Sequence, residues 1–453
     1  MVLAIFAATD ELTSMQTLAE LRSGTLKGTV SLKLSEGLTH FPEEIFELAD
    51  TLEVLDLSQN KLSELPAHFG KLKKLRIFFC SDNLFTTLPE ILGDCPVLDI
   101  LGLKANRIAT IHLRALNPNL RWLILTDNCI TALPKEIGQC TRMQKLALAG
   151  NQLSELPYEL SNCSNLSLLR ISANKLGELP DWLLSMPRLS WLAFSGNPFC
   201  IVPEVAALPS IDWPQLEIGH VLGQGASGII YKAVMHGEGE NKEVAVKVFK
   251  GAVTSDGLPE DEMNTFIAAG AHEGLVQLTG LLAGHPAGRQ GLVMELIPER
   301  FYNLGMPPSL VTCTRDVFKE GMSLSPEQAL KIARTIASVS AQLHNKGIIH
   351  GDLYAHNTLI DNEANALFGD FGAASFYDTS DIKIAGALER LEVSAFGHLL
   401  DDLLSLSNEP CSHAIAGQLE KLRDACTAPY VLGRPGFKEL VGELEQLEER
   451  RLA

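Results

Sequence analysis

Between Val221 and Asp370 the chain carries residues whose types and order could handle phosphate. Gly223, Gly225 and Gly228 stand in G-x-G-x-x-G spacing, and glycines so placed let a backbone come close to a phosphate. That spacing alone is shared by a dinucleotide-binding turn and by a plain hairpin. A dinucleotide fold would continue into a helix. Here the continuation is Glu243-Val-Ala-Val-Lys-Val-Phe, a β-rich run that sets Lys247 among alternating apolar residues. Farther on come His350, Asp352 and Asn357, then Asp370 inside Phe368-Gly-Asp-Phe-Gly, with intervals of five residues from Asp352 to Asn357 and thirteen from Asn357 to Asp370. Any one of them alone would be read as a solvated loop side chain. Together they form an ordered set of a glycine loop, a strand-borne cation, two carboxylates and an amide.

Such a set works only if separate elements hold it in place. The alternation around Lys247 predicts a strand after a glycine hairpin. With these motifs in place, residues 214–450 resemble the eukaryotic-type protein kinases; in that resemblance His272-Glu-Gly-Leu-Val-Gln-Leu follows the expected C helix, Val293-Met-Glu-Leu-Ile is similar to the hinge strand, and Gly433-Arg-Pro-Gly-Phe resembles the family's late Arg-Pro-x-Phe element. The resemblance implies an α+β two-lobed domain that uses ATP and Mg2+. On it, Gly223, Gly225 and Gly228 cover the phosphates, Lys247 meets the α and β oxygens, and Met294 and Glu295 sit at the hinge. Asp370 and Asn357 each hold Mg2+, and Asp352 accepts the proton of the substrate hydroxyl. Glu262 is the expected partner of Lys247, with Glu260 as the alternative.

Departures from the family pattern are equally specific. Gly351 stands where an Arg usually precedes the catalytic Asp, so the cation that binds a phosphorylated activation loop is missing. Tyr354 replaces the Lys usual in Ser/Thr kinases. The stretch from Asp370 to Ser394-Ala-Phe-Gly is short and has no clear A-P-E; Ala387-Leu-Glu389 is the expected relic, with Arg434 to pair with its Glu.

The first half has a different logic. Asparagines recur at 60, 83, 106, 128, 151, 174 and 197, at intervals of 22 or 23, inside one apolar frame such as Leu120, Leu123, Leu125, Ile130 and Leu133. Proline follows six residues after the Asn at 66, 89, 134, 157, 180 and 203, with His112 as the exception, and a degenerate copy around Leu32, Leu34 and Leu38 carries Gly37 in place of Asn. This frame resembles the leucine-rich repeat over residues 26–204. Each unit is too small to bury its leucines alone, so stacked neighbours share one core and the Asn side chains satisfy adjacent backbone. A capping helix is expected over Thr13–Ser23 with Gly24 past its end. Function in such an array belongs to the outward strand positions. Phe79, Trp122, Ile124 and Trp191 are expected there, exposed in line, as a concave face that binds a protein partner, with cover by the C-terminal domain as the alternative.

Composition bounds the rest. The 453 residues allow two or three domains, and 46% apolar with 20% charged residues excludes collagenous or largely disordered chains. A net charge of −18 argues against wholesale nucleic-acid or anionic-membrane binding. The acidity is uneven: residues 1–210 carry 18 basic and 22 acidic side chains, and residues 211–453 carry 19 and 33. Nine cysteines, with Cys80, Cys95, Cys140 and Cys163 in the repeat frame, read as reduced core fillers of a cytoplasmic protein. The 2–8 apolar run lacks a preceding basic residue and meets Asp10 and Glu11, so no secretory leader is expected, and Met15 is an alternative start. No window reaches the roughly 18 apolar residues of a membrane span.

The expected organisation is therefore an α/β leucine-rich repeat solenoid followed by an α+β two-lobed kinase-like domain: 1–25 extension and cap, 26–204 repeats, 205–213 linker, 214–450 kinase-like. The expected activity is ATP-dependent phosphorylation of protein hydroxyls, Ser/Thr before Tyr. A pseudokinase scaffold and a small-molecule phosphotransferase are the alternatives, and the architecture without a membrane span resembles bacterial proteins more than plant receptor kinases.

Overall fold

The computed structural model describes residues 15–205, 207–225, 227–237, 240–251, 254, 256–407 and 414–452. The 2–8 run and residues 13–14 of the expected cap lie outside them. The chain divides into two compact units. One holds the residues through Leu189 together with Asn197–Phe199, and the other holds Ser190–Gly196 together with the chain from Cys200 onward.

In the repeat unit, strands Ser31–Lys33, Val54–Asp56, Ile77–Phe79, Ile100–Gly102, Trp122–Ile124, Lys145–Ala147 and Leu168–Arg170 pair in parallel, each with the next. Their central residues Leu32, Leu55, Phe78, Leu101, Leu123, Leu146 and Leu169 are in register and buried. Between strands the backbone must turn, and the asparagines carry that turn. Asn128 Nδ2 donates to Leu103 O and Leu125 O, both at 3.0 Å, while its Oδ1 accepts from Ile108 N at 2.9 Å. Asn60, Asn83, Asn106, Asn151 and Asn174 reach back one repeat in the same way. Pro42, Pro89, Pro134 and Pro157 directly precede the 3-10 turns Glu43–Leu48, Glu90–Asp94, Lys135–Gln139 and Tyr158–Asn162, where a fixed φ pre-sets the turn. His112 serves the same end without a ring-locked φ, because its Nδ1 accepts from Arg114 N at 3.3 Å.

The helix at the start of the array is shorter than expected. It spans Leu18–Arg22, because Thr17 and Glu20 form a capping box that starts it, and it ends before Gly24 at φ 74°. Among the described residues the cysteines are free. Burial pushes the thiols of Cys95 and Cys140 up to about 12 and that of Cys163 up to about 11. Asn128→Ala should lower the stability of this unit by about 2–4 kcal/mol, since each orphaned buried backbone group costs about 1–3 kcal/mol. Urea unfolding followed by circular dichroism checks it, and a change below about 0.5 kcal/mol, the range of surface substitutions, would contradict it.

The expected exposed line on the strands is not there. Phe79 is 5% exposed and Trp122 1% exposed, and Ile124 is half-buried. Parallel strands about 4.8 Å apart bring side chains of equal register together. Phe79 lies over Gly102, whose Cβ would come within 2.7 Å of the ring, and the Lys145 ammonium sits 4.2 Å from the Trp122 ring centre.

In the second unit a six-stranded sheet runs in the order Ser210–Asp212, Leu278–Ala283, Gly291–Glu295, Lys242–Phe249, Gly228–Met235, Leu216–Gln224. The first strand comes from the expected linker. It pairs in parallel with Leu278–Ala283 because Ile211 is buried with Leu216, Val244, Val246 and Leu282 in the sheet's core. Helix Pro259–Ala269 flanks the sheet; Pro259 opens it and Glu260, Asp261 and Glu262 fill its first turn, where carboxylates complement the helix dipole. Below lie the helices Pro326–Asn345, Ile382–Ser405, Ala414–Cys426 and Phe437–Leu452. Two small antiparallel pairings frame the loop at 350–357: Ile348–Ile349 with Ser375–Phe376, and Thr358–Ile360 with Ala366–Phe368.

Candidate active site

Gly223, Gly225 and Gly228 fall in the hairpin between Leu216–Gln224 and Gly228–Met235. Gly225 N donates to Gly228 O at 3.0 Å, and Lys250 Nζ donates to Gly225 O at 3.0 Å. The three glycines serve different ends. A Cβ on Gly228 would meet Val248 O at 2.7 Å, whereas Gly223 and Gly225 face open space in which a ligand could approach the backbone.

Lys247 is buried on the Lys242–Phe249 strand, and its Nζ donates to Glu262 Oε1 on the flanking helix. Asp370 Oδ1 lies 3.9 Å from the same ammonium. Burial works against the charge on Lys247, and the carboxylates of Glu262 and Asp370 outweigh it, holding the ammonium above its ordinary value. Glu260 has no part in this contact; the side chain that reaches Lys247 is Glu262.

Asp352 and Asn357 form the second group. Asn357 Nδ2 donates to Asp352 Oδ2 at 2.8 Å and to Asp352 O at 2.9 Å. One residue joins the two groups: Gly369 N donates to Asn357 O at 3.2 Å, and His350 Nε2 lies 3.1 Å from Gly369 O. Burial lowers the His350 imidazole, so it is the neutral ring that donates there. Asp370 itself takes a left-handed backbone, φ 59°, with its carboxylate accepting from Gly372 N at 3.2 Å. Phe371, fully buried, stacks on Phe266 at 4.6 Å and meets His350 at 5.1 Å. Phe371 anchored there leaves Asp370 facing Lys247.

Met294 pairs in register with Ala245 two residues from Lys247, and is buried. Glu295 is exposed and its carboxylate takes Lys242 Nζ at 3.0 Å, so it stands apart from the Lys247 cluster. Among the described residues no three His, Cys, Asp or Glu side chains gather as a metal centre. The donors present are one carboxylate and one amide, Asp370 and Asn357. That sparse oxygen set suits Mg2+, which keeps waters and phosphate oxygens among its ligands.

Three features escaped the sequence. Glu392, on helix Ile382–Ser405, accepts from Gly351 N at 2.7 Å and His350 N at 3.2 Å and contacts His344 Nε2 at 2.8 Å. Burial would raise its carboxyl, yet these partners hold it below its ordinary value. Its only trace in the sequence was its place two residues before Ser394-Ala-Phe-Gly. His356 is clasped by Asp316, with Nδ1 to Oδ1 at 2.7 Å and its backbone N to Oδ2 at 2.9 Å. Burial opposes the charge on His356, and Asp316 outweighs it, holding the imidazole above its ordinary value. Third, Trp191 is not an exposed partner-binding residue. It is 1% exposed, packed in this unit with its Nε1 donating to Leu353 O at 3.0 Å and its ring stacked 4.4 Å from that of Tyr354. Glu389 accepts from Phe437 N and Arg390, and Arg434 donates to Ala428 O and Arg390 O.

Residues 216–394 match the family described as protein tyrosine and serine/threonine kinase, and residues 51–72 and 96–153 match leucine-rich repeat families. The angiopoietin-1 receptor of Danio rerio is 26% identical over 294 residues, covering 55% of this chain and 26% of its own. The serine/threonine-protein kinase mos of Gallus gallus is 29% identical over 182 residues, covering 38% of this chain and 51% of its own. The tyrosine-protein kinase receptor TYRO3 of Danio rerio is 23% identical, covering 51% and 31%. The chain thus spans between about a quarter and a half of the length of these curated relatives. A solved leucine-rich repeat protein of Leptospira interrogans is similar at 27% identity with a TM-score of 0.34, over 40% of this chain and 52% of its own. With the strand array and its asparagine ladder in the first half and the family match over residues 216–394 in the second, the chain joins leucine-rich repeats to a protein kinase domain.

Proposed function

We propose that the protein is an ATP- and Mg2+-dependent protein kinase, transferring the γ-phosphoryl group to a protein hydroxyl, Ser or Thr rather than Tyr. The observation that carries the reading is the link through Gly369, which sets the Lys247–Glu262–Asp370 cluster beside the Asp352–Asn357 pair. Phosphoryl transfer needs alignment and neutralised charge more than covalent help. Lys247, locked by Glu262, presents a fixed cation to phosphate oxygens. Gly223 and Gly225 let the hairpin backbone close over them. Asp370 and Asn357 would hold Mg2+, which when bound neutralises charge on the phosphates. The Asp352 carboxylate, steadied by Asn357, orients the acceptor hydroxyl and takes its proton.

Partner recognition belongs, in this reading, to the repeat unit, through side chains other than Phe79 and Trp122, which the fold encloses. The free thiols of the described cysteines suit a reducing, cytoplasmic compartment. Among the described residues no helix is long and apolar enough to cross a membrane. Intact-mass analysis of the full chain after incubation with Mg2+-ATP tests the activity. The expected result is the gain of a phosphoryl group, assigned by fragmentation to Ser or Thr; modification confined to Tyr would overturn the acceptor class.

A further inference from the structure

We infer that Ser190–Gly196, which the repeat pattern places in the last repeat, does in this protein what an activation segment does elsewhere: it braces the catalytic loop, with Trp191 as the positioning residue. The inference rests on the kinase reading above. Only residues 377–381 separate strand Ser375–Phe376 from helix Ile382–Ser405, too few to fold back over the loop that holds Asp352. The 190–196 segment supplies what is missing. It packs with residues 200 onward as one unit, and Trp191, Leu192, Ala193 and Phe194 are all buried.

Its contacts reach the catalytic loop, the strand after Asp-Phe-Gly and the long helix. Trp191 Nε1 donates to Leu353 O at 3.0 Å, the carbonyl next to Asp352, and its ring lies parallel to Tyr354 at 4.4 Å and 5°. His398 of the long helix stacks on Trp191 at 5.2 Å, so the indole is held between that helix and the catalytic loop. Ser190 Oγ bonds Ser394 Oγ, and Phe194 N donates to Ser375 Oγ, each at 3.0 Å. Segment 190–194 thereby ties together the catalytic loop, the strand after Asp-Phe-Gly and the helix that bears Glu392.

Gly351 completes the case. Its φ is 71°, and a Cβ there would meet Leu192 O at 2.6 Å and Ala373 O at 2.8 Å. The residue that usually carries the phosphate-binding Arg is glycine here because the backbone of the bracing segment occupies that space. A phosphorylated loop has neither its cation nor its room, and a permanently packed indole takes its place.

The test is made on the full chain. Trp191→Ala should lower kcat about tenfold, roughly 1.4 kcal/mol of barrier, while KM for ATP stays within about twofold, since the Lys247 cluster makes no contact with Trp191. Trp191→Phe keeps a ring against Tyr354 but loses the bond to Leu353, and should fall between. Hydrogen exchange should quicken over 350–357 in Trp191→Ala and stay unchanged over Gly228–Met235. An unchanged kcat in Trp191→Ala, or Trp191→Phe no better than Trp191→Ala with KM rising in step, would overturn the inference. If Trp191→Ala does not fold, Trp191→Phe decides: a lowered kcat supports the brace and an unchanged one refutes it. If the wild-type chain turns over no ATP, the kinase reading fails and exchange alone judges the brace, quickened uptake over 350–357 supporting it and unaltered uptake refuting it.

Discussion

An Asp352→Asn chain is expected to transfer phosphate about 10²–10⁴-fold more slowly than the wild type, the range for loss of a positioned general base. Asn at this position still accepts from Asn357 Nδ2, now bonded to Asp352 Oδ2 at 2.8 Å, so the loop should keep its shape and nucleotide should bind as before. What is lost is the basic oxygen beside the acceptor hydroxyl. Single-turnover rates with pre-bound Mg2+-ATP isolate that step. A rate within threefold of wild type, about 0.65 kcal/mol, would show that Asp352 is not the proton acceptor.

The second large effect belongs to Asp370. Asp370→Asn removes the charge that faces both the expected Mg2+ and Lys247 Nζ at 3.9 Å, and kcat should fall at least tenfold, about 1.4 kcal/mol or more. The fold should tolerate it, because the amide oxygen of Asn can still accept from Gly372 N, as Asp370 does at 3.2 Å. The signature that separates this variant from Asp352→Asn is its metal dependence. Raising Mg2+ should recover part of the Asp370→Asn rate and none of the Asp352→Asn rate, and the reverse pattern would exchange the two roles.

How much of this was legible follows from the distance over which each feature is encoded. Lys247, Asp352, Asn357 and Asp370 announce themselves because each lies in a local pattern: alternation around a strand, or fixed intervals within one loop and the hairpin after it. The asparagine ladder is legible for the same reason, its bonds recurring every repeat. Glu262 was within reach through the kinase resemblance, which expects the lysine's partner at a set distance ahead of His272-Glu-Gly-Leu-Val. Trp191 was not, since its partner Leu353 lies 162 residues away and Ser190 meets Ser394 across 204. An outward strand position looks the same in sequence whether solvent or a catalytic loop lies against it. Gly351 shows the same limit from the other side. The sequence registers only an absent Arg, whereas the cause, Leu192 O at 2.6 Å from the missing Cβ, belongs to a segment far upstream. Phe79 was misplaced because its surroundings depend on the next repeat, where Gly102 leaves room for the ring.

In the proposed reading, the Gly369-linked pair of clusters moves a phosphoryl group. Its most direct measurement is the initial rate of ADP formation from ATP by the full-length chain, with and without Mg2+, run beside Asp370→Asn. Formation should require Mg2+ and fall at least about tenfold in the variant; equal rates in the two chains, or none in the wild type at any Mg2+ concentration, would overturn that reading.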